Sequence, residues 1–172
     1  MERSRAFCEA AGVKKSLFDQ GFLDEQFRQL EELQDDLSPN FVEEVVNSFF
    51  RDSARLMVSV EQTLENVPHN LTRLDELIYQ LKGSCSSIGA VRVRNECSRF
   101  REYYSQRNAQ GCLASFRRIK SEHAALRQKL EAYFQVASRR AGPIRSVGRS
   151  VGAHGLSPLA PPRLFIWQIF FY

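Results

Sequence analysis

The sequence predicts an all-α fold of about six helices. The last four form an up-down four-helix bundle, and a disordered C-terminal tail follows. Three observations carry this expectation. Apolar residues recur at spacings of three and four as far as residue 136, the period of helices with one buried stripe. Breakers are scarce there, since five of the nine glycines and two of the six prolines precede residue 138. Composition then changes abruptly at about Ala137. A chain of 172 residues, 43% of them apolar, suffices for one domain with a real core. That domain is placed at residues 1–137.

Residues 4 to about 18 suit a short first helix, with Phe7, Ala10, Ala11 and Leu17 apolar and Gly12 and Val13 weakening it. Phe18-Asp19-Gln20-Gly21 reads as a break. A second helix is expected from about Phe22 to Asp36, aligning Phe22, Leu23, Phe27, Leu30 and Leu33. Leu37-Ser38-Pro39-Asn40 is a helix start. Ser38 suits the cap, Pro39 the first helical position, and Glu43 and Glu44 the positive end of the helix dipole. This third helix runs to about Asn66 with Phe41, Val45, Phe49, Leu56, Val60 and Leu64 as its stripe. Val67-Pro68-His69-Asn70 separates it from the fourth, Leu71 to Gly89. A fifth is expected from Ala90 to Arg107, with Val91, Val93, Cys97, Phe100, Tyr103 and Tyr104 apolar. A sixth runs from about Cys112 to Val136, with Leu113, Phe116, Ile119, Leu126, Leu130, Tyr133 and Phe134. His123 is expected at the surface or the core boundary. Short turns make the last four helices antiparallel neighbours.

Residues 138–163 are rich in Gly, Ser, Pro and Arg and carry no helical stripe, a disordered-tail composition. The closing LFIWQIFFY is far too short to span a bilayer. A tail so unlike the body fits an alternative or read-through C-terminus.

The fourth helix organises the functional reading. Leu71, Leu74, Leu77, Ile78, Leu81, Cys85 and Ile88 form its buried stripe. Tyr79, Lys82, Gly83 and Ser86 stand at i, i+3, i+4 and i+7, neighbours on a different, outward face. Gly83 is costly there, since mid-helix glycine loses roughly 1 kcal/mol against alanine. Close approach of another surface to the backbone explains it; a tolerated glycine in a helix held by its core is the plainer alternative.

The run Tyr79-Gln80-Leu81-Lys82-Gly83-Ser84-Cys85-Ser86-Ser87-Ile88-Gly89-Ala90 resembles the signature of plant histidine-containing phosphotransfer proteins, His-Gln-x-Lys-Gly-Ser-Ser-x-Ser-x-Gly-Ala. The resemblance spans roughly residues 15 to 136. The phospho-accepting histidine falls on Tyr79, and Cys85 replaces a serine. The chain therefore looks like a pseudo-histidine phosphotransfer protein of the HPt family. Relay chemistry needs an imidazole that is neutral and nucleophilic near pH 7. A phenol, with pKa about 10, stays protonated, and no neighbouring base activates it. Lys82, which would steady a phosphoryl group, has no phosphohistidine to serve. His69 lies ten residues away, about 15 Å along a helix, and cannot take the acceptor's place.

The resemblance implies partners: receiver domains of hybrid histidine kinases and response regulators, bound through Tyr79, Lys82, Gly83 and Ser86. It implies no enzyme activity, no cofactor, a cytokinin-type pathway and an inhibitory role. The rival reading is a helical scaffold or adaptor that has lost receiver binding.

Charge bears on the partner. The net +4 divides unevenly: residues 1–76 hold 8 basic against 16 acidic residues, and residues 77–138 hold 11 against 4. The basic half mixes its arginines with Glu96, Glu102, Glu122 and Glu131, which reads as a solvated face rather than a nucleic-acid surface. Near the docking helix it attracts an acidic pocket such as a receiver's. Cys8, Cys85, Cys97 and Cys112 form no metal-ligand spacing with the three histidines. The charged N-terminus lacks the apolar core of a signal peptide. A monomer in a reducing cytoplasmic or nuclear setting, without membrane association, is the expectation.

Overall fold

The computed structural model describes residues 2–65 and 71–141. They form six helices: α1 (Glu2–Asp19), α2 (Glu25–Glu32), α3 (Phe41–Glu65), α4 (Leu71–Ile88), α5 (Val91–Ser105) and α6 (Ala109–Ala141). No strand occurs among the described residues, apart from an isolated antiparallel bridge between Leu23 and Ala90. The expected all-α architecture stands. The expectations for His69 and for the tail beyond Ala141 lie outside the described residues.

One core joins the elements. The stripe on α4 is buried at Leu74, Leu77, Ile78, Leu81, Cys85 and Ile88. It meets Val46, Phe49 and Val60 of α3, Val93, Cys97 and Phe100 of α5, and Phe116, Ile119, Leu126 and Leu130 of α6 in one apolar cluster. Helices α3 and α5 flank α4, and α2 packs across it. Bundle packing with short turns follows from amphipathic helices that cannot bury their stripes alone.

Several boundaries differ from the sequence expectation, each for a local reason. Helix α2 starts three residues late, because Phe22 and Leu23 are drawn into backbone pairing with the α4–α5 turn. The Val91 amide donates to the Phe22 carbonyl (3.0 Å) and the Asp24 amide to the Gly89 carbonyl (3.1 Å). Asp24 then caps α2 by accepting from the Gln26 amide. Leu33, assigned to the apolar side, ends the helix at 58% exposure. Helix α3 starts at Phe41 rather than Pro39. Asp35 Oδ1 captures the Leu37 and Ser38 amides in a turn. Gln34 Oε1, not Ser38, accepts from Val42 near the start of α3. Helix α6 begins at Ala109 and continues to Ala141, beyond the expected limits on both sides. Leu113 is 44% exposed rather than core.

His123 is the clearest correction. It is buried on α6, with Nε2 2.7 Å from Ser53 Oγ on α3. The Ser53 hydroxyl also lies within hydrogen-bonding distance of the Phe49 carbonyl (2.6 Å). Phe49 and Phe50 lie beside the ring. Burial, aided by Arg127, lowers its pKa to about 4. Periodicity marks such a position as ambiguous, and the serine that satisfies it stands 70 residues earlier.

The joint at residues 20–24 and 89–92 fixes α2 beside α4. Gly89 adopts φ +72°, and a Cβ there would sit 2.5 Å from Asp24 Oδ1 and 2.9 Å from the Phe27 amide nitrogen. Arg92 donates to the Gln20 carbonyl through Nε (3.0 Å) and Nη2 (2.6 Å) and lies over the Phe22 ring. Arg94 pairs with Asp24 at 2.9 Å.

Two expected outcomes follow from this packing. Gly89→Ala combines a left-handed conformation with contact against backbone, and should cost at least about 2 kcal/mol in urea unfolding. An unchanged midpoint would contradict the joint. For His123, the folded pKa lies below the unfolded value, so the unfolded chain binds the extra proton between about pH 4 and 6.5. The contribution is complete above that window and declines by roughly 3 kcal/mol as pH falls through it. Urea midpoints from pH 7.5 to 4 should show a steeper loss for wild type than for His123→Gln. Parallel curves would contradict it.

Candidate functional site

The candidate site is the outward face of α4. Packing on three sides leaves Tyr79 53% exposed, with Lys82, Gly83 and Ser86 half-buried beside it. The structure therefore brings all four sequence-selected residues onto one accessible surface, as i, i+3, i+4 and i+7 spacing requires.

Gly83 is not demanded by the fold. It is helical, and a Cβ added there would meet nothing within 4 Å. Six residues later, Gly89 is demanded by both φ and contact. The two glycines of the motif thus have different physical grounds. The Ser86 hydroxyl donates to the Lys82 carbonyl (3.0 Å), and that of Ser87 to the Ser84 carbonyl (2.7 Å). Both are turned onto their own helix, which keeps the surface around Gly83 low. Lys82 forms no ion pair among the described residues.

Two residues not selected from the sequence complete the surface. Arg101 on α5 donates from Nε to Asp75 Oδ1 (2.8 Å) and from Nη2 to Asp75 Oδ2 (3.3 Å). Its Cζ lies 5.2 Å from the centroid of the Tyr79 ring. The hydrogen bonds with Asp75 push the Arg101 pKa upward, so the guanidinium is a permanent charge. Asp75 was accessible to helical spacing, four residues before Tyr79. Arg101 required the packing of α5 on α4, which a single sequence does not give.

Among the described residues no histidine stands on this face, and His123 is buried on α6 against Ser53. Among the described residues, no three His, Cys, Asp or Glu side chains come together as metal ligands. Cys85 and Cys97 are both fully buried, and their mutual hydrogen bond raises the Cys85 pKa, which keeps it a thiol. The basic half of the chain is compensated in part. Arg92, Arg94, Arg99, Arg101, Lys120 and Arg127 each pair with a carboxylate, and Asp24, Glu61 and Asp75 come from the acidic half. No helix among the described residues is long and apolar enough to cross a membrane.

Comparison with known proteins agrees with this geometry. The Hpt domain family matches residues 20–129. A pseudo histidine-containing phosphotransfer protein of Oryza sativa subsp. japonica is 55% identical over 152 residues, covering 88% of this chain and 99% of the relative. A histidine-containing phosphotransfer protein of Arabidopsis thaliana is 55% identical over 118 residues, covering 69% and 93%. Among solved structures, a histidine-containing phosphotransfer protein from Medicago truncatula superposes with a TM-score of 0.73 at 37% identity, covering 84% of this chain and 96% of that one. A rice protein described as a putative member gives 0.76 at 32% identity, covering 83% and 100%. Such proteins are phosphoryl carriers and adaptors rather than enzymes. The chain belongs to the histidine-containing phosphotransfer (Hpt) family, with pseudo histidine-containing phosphotransfer proteins of rice among its relatives.

Proposed function

We propose that this protein binds the receiver domains of hybrid histidine kinases and response regulators without carrying phosphate, and so acts as a negative regulator of cytokinin-type two-component signalling. The observation that carries the reading is the α4 face. The run Tyr79 to Ala90 there resembles the signature of the family's carriers, with a tyrosine where that signature has histidine. Tyr79 is exposed at its centre, and Gly83 leaves open backbone that the protein's own packing does not need. A helix that keeps an unfavourable glycine with no internal reason is consistent with an external surface approaching it. Binding as a monomer in the cytoplasm and nucleus, in competition with active carriers, completes the proposal.

Gly83→Gln separates binding from folding. Open space around Gly83 admits the side chain, so stability should hold or rise by up to about 1 kcal/mol. Affinity for an isolated receiver, measured by titration, should fall at least roughly tenfold. Unchanged affinity would place the interface elsewhere.

The lost chemistry has its own test. Tyr79→His restores an imidazole next to Lys82, which can pair with phosphoryl oxygens. After incubation with a receiver carrying labelled phosphate, the variant should acquire an acid-labile phosphoramidate and wild type none. Label on wild type would overturn the non-carrier reading.

A further inference from the structure

We propose that Arg101 is a partner-recognition residue. It is held by Asp75, laid against Tyr79, and offers its remaining edge to a carboxylate of the docking partner. The inference rests on the receiver-binding reading and extends that surface from α4 onto α5.

The argument begins with donors. A guanidinium carries five N–H donors in one rigid plane. Nε and Nη2 are committed to the two Asp75 oxygens. Nη1 has no hydrogen-bond partner among the described residues. One edge is therefore spent on orientation, and another stays open to a second planar acceptor. A carboxylate matches that edge best.

Position agrees. The Arg101 and Asp75 side chains remain 38% and 34% exposed, and Tyr79, whose ring the guanidinium faces, is the exposed centre of the α4 face. Exposed pairs of this kind add little to stability. What Asp75 does supply is a fixed rotamer, which removes in advance much of the ordering cost of binding through a long side chain. The neighbouring charges give the sign. Asp75 is committed to Arg101, Glu76 lies 3.4 Å from Arg73, and Lys82 has no ion pair among the described residues. Beside Tyr79, Lys82 and the open Arg101 edge are cations left for a partner. Arg92 and Arg94, by contrast, are engaged at the joint with residues 20–24.

The test titrates an isolated receiver domain of a histidine kinase onto the full chain, as wild type, Arg101→Gln, Arg101→Lys and Asp75→Asn. Arg101→Gln should weaken binding roughly tenfold with an almost unchanged melting temperature. Arg101→Lys should lose nearly as much, because an ammonium cannot engage two carboxylates with two planar edges. Asp75→Asn should lose less, about threefold, since the amide keeps one acceptor for Nε. Against a receiver whose pocket carboxylates are changed to amides, Arg101→Gln should cause no further loss, the signature of a direct pair. Wild-type affinity in Arg101→Gln, with Gly83→Gln still impaired, would overturn the role of Arg101 and leave receiver binding intact. Wild-type affinity in Arg101→Lys would overturn the two-edge geometry. Should Arg101→Gln fail to fold, Asp75→Asn decides, and full affinity there contradicts the inference. Absence of binding by wild type would instead overturn the receiver-binding reading itself.

Discussion

The site depends on one backbone constraint, the left-handed turn at Gly89. That turn ends α4 and lets residues 89–91 pair with residues 22–24. Through this pairing the segment after α1 is fastened to the end of α4, and α2 is laid across it. The carboxylate of Asp24 serves the joint twice, capping α2 through one oxygen and pairing with Arg94 through the other. Only a residue without Cβ fits the turn. The face carrying Tyr79 is thus what remains of α4 once α2, α3 and α5 have covered the rest.

Charge asymmetry along the chain has a structural resolution. The acidic first half and basic second half fold against one another, and cross-half pairs such as Asp24–Arg94, Glu61–Lys120 and Asp75–Arg101 join them. Exposed pairs each contribute little, so their effect is on geometry more than on stability. The Asp75–Arg101 pair shows this most clearly, because it sets the orientation of a guanidinium beside Tyr79. A stretch that reads as uniformly basic in sequence becomes a mixed surface with a few cations left over.

The helices with long uninterrupted stripes were legible from sequence because period alone determines which side they bury. The α4 stripe and the outward set of Tyr79, Lys82, Gly83 and Ser86 follow from it. Errors gathered where a distant partner overrides local signals. Phe22 and Leu23 look helical, yet Ala90 and Val91 pull them into backbone pairing. Ser38 looks like a cap, yet Asp35 holds its amide and Gln34 reaches the start of α3. His123 looks like a boundary residue, yet Ser53 and two phenylalanines enclose it. Arg101 belongs to the same class, since its place beside Tyr79 exists only once α5 packs on α4. Family membership was legible from the run Tyr79 to Ala90, because a motif of a dozen residues is specific without any tertiary information.

The central claim is competition at a phosphorelay step by a chain that cannot take part in it. It is tested most directly by following transfer from a labelled phospho-receiver to an active histidine-containing carrier as this protein is added. The account predicts that the transfer rate falls in a saturable way, with label on the carrier and the receiver and none on this chain. A rate that stays constant up to a large excess of the protein, or label that accumulates on it, would contradict the account.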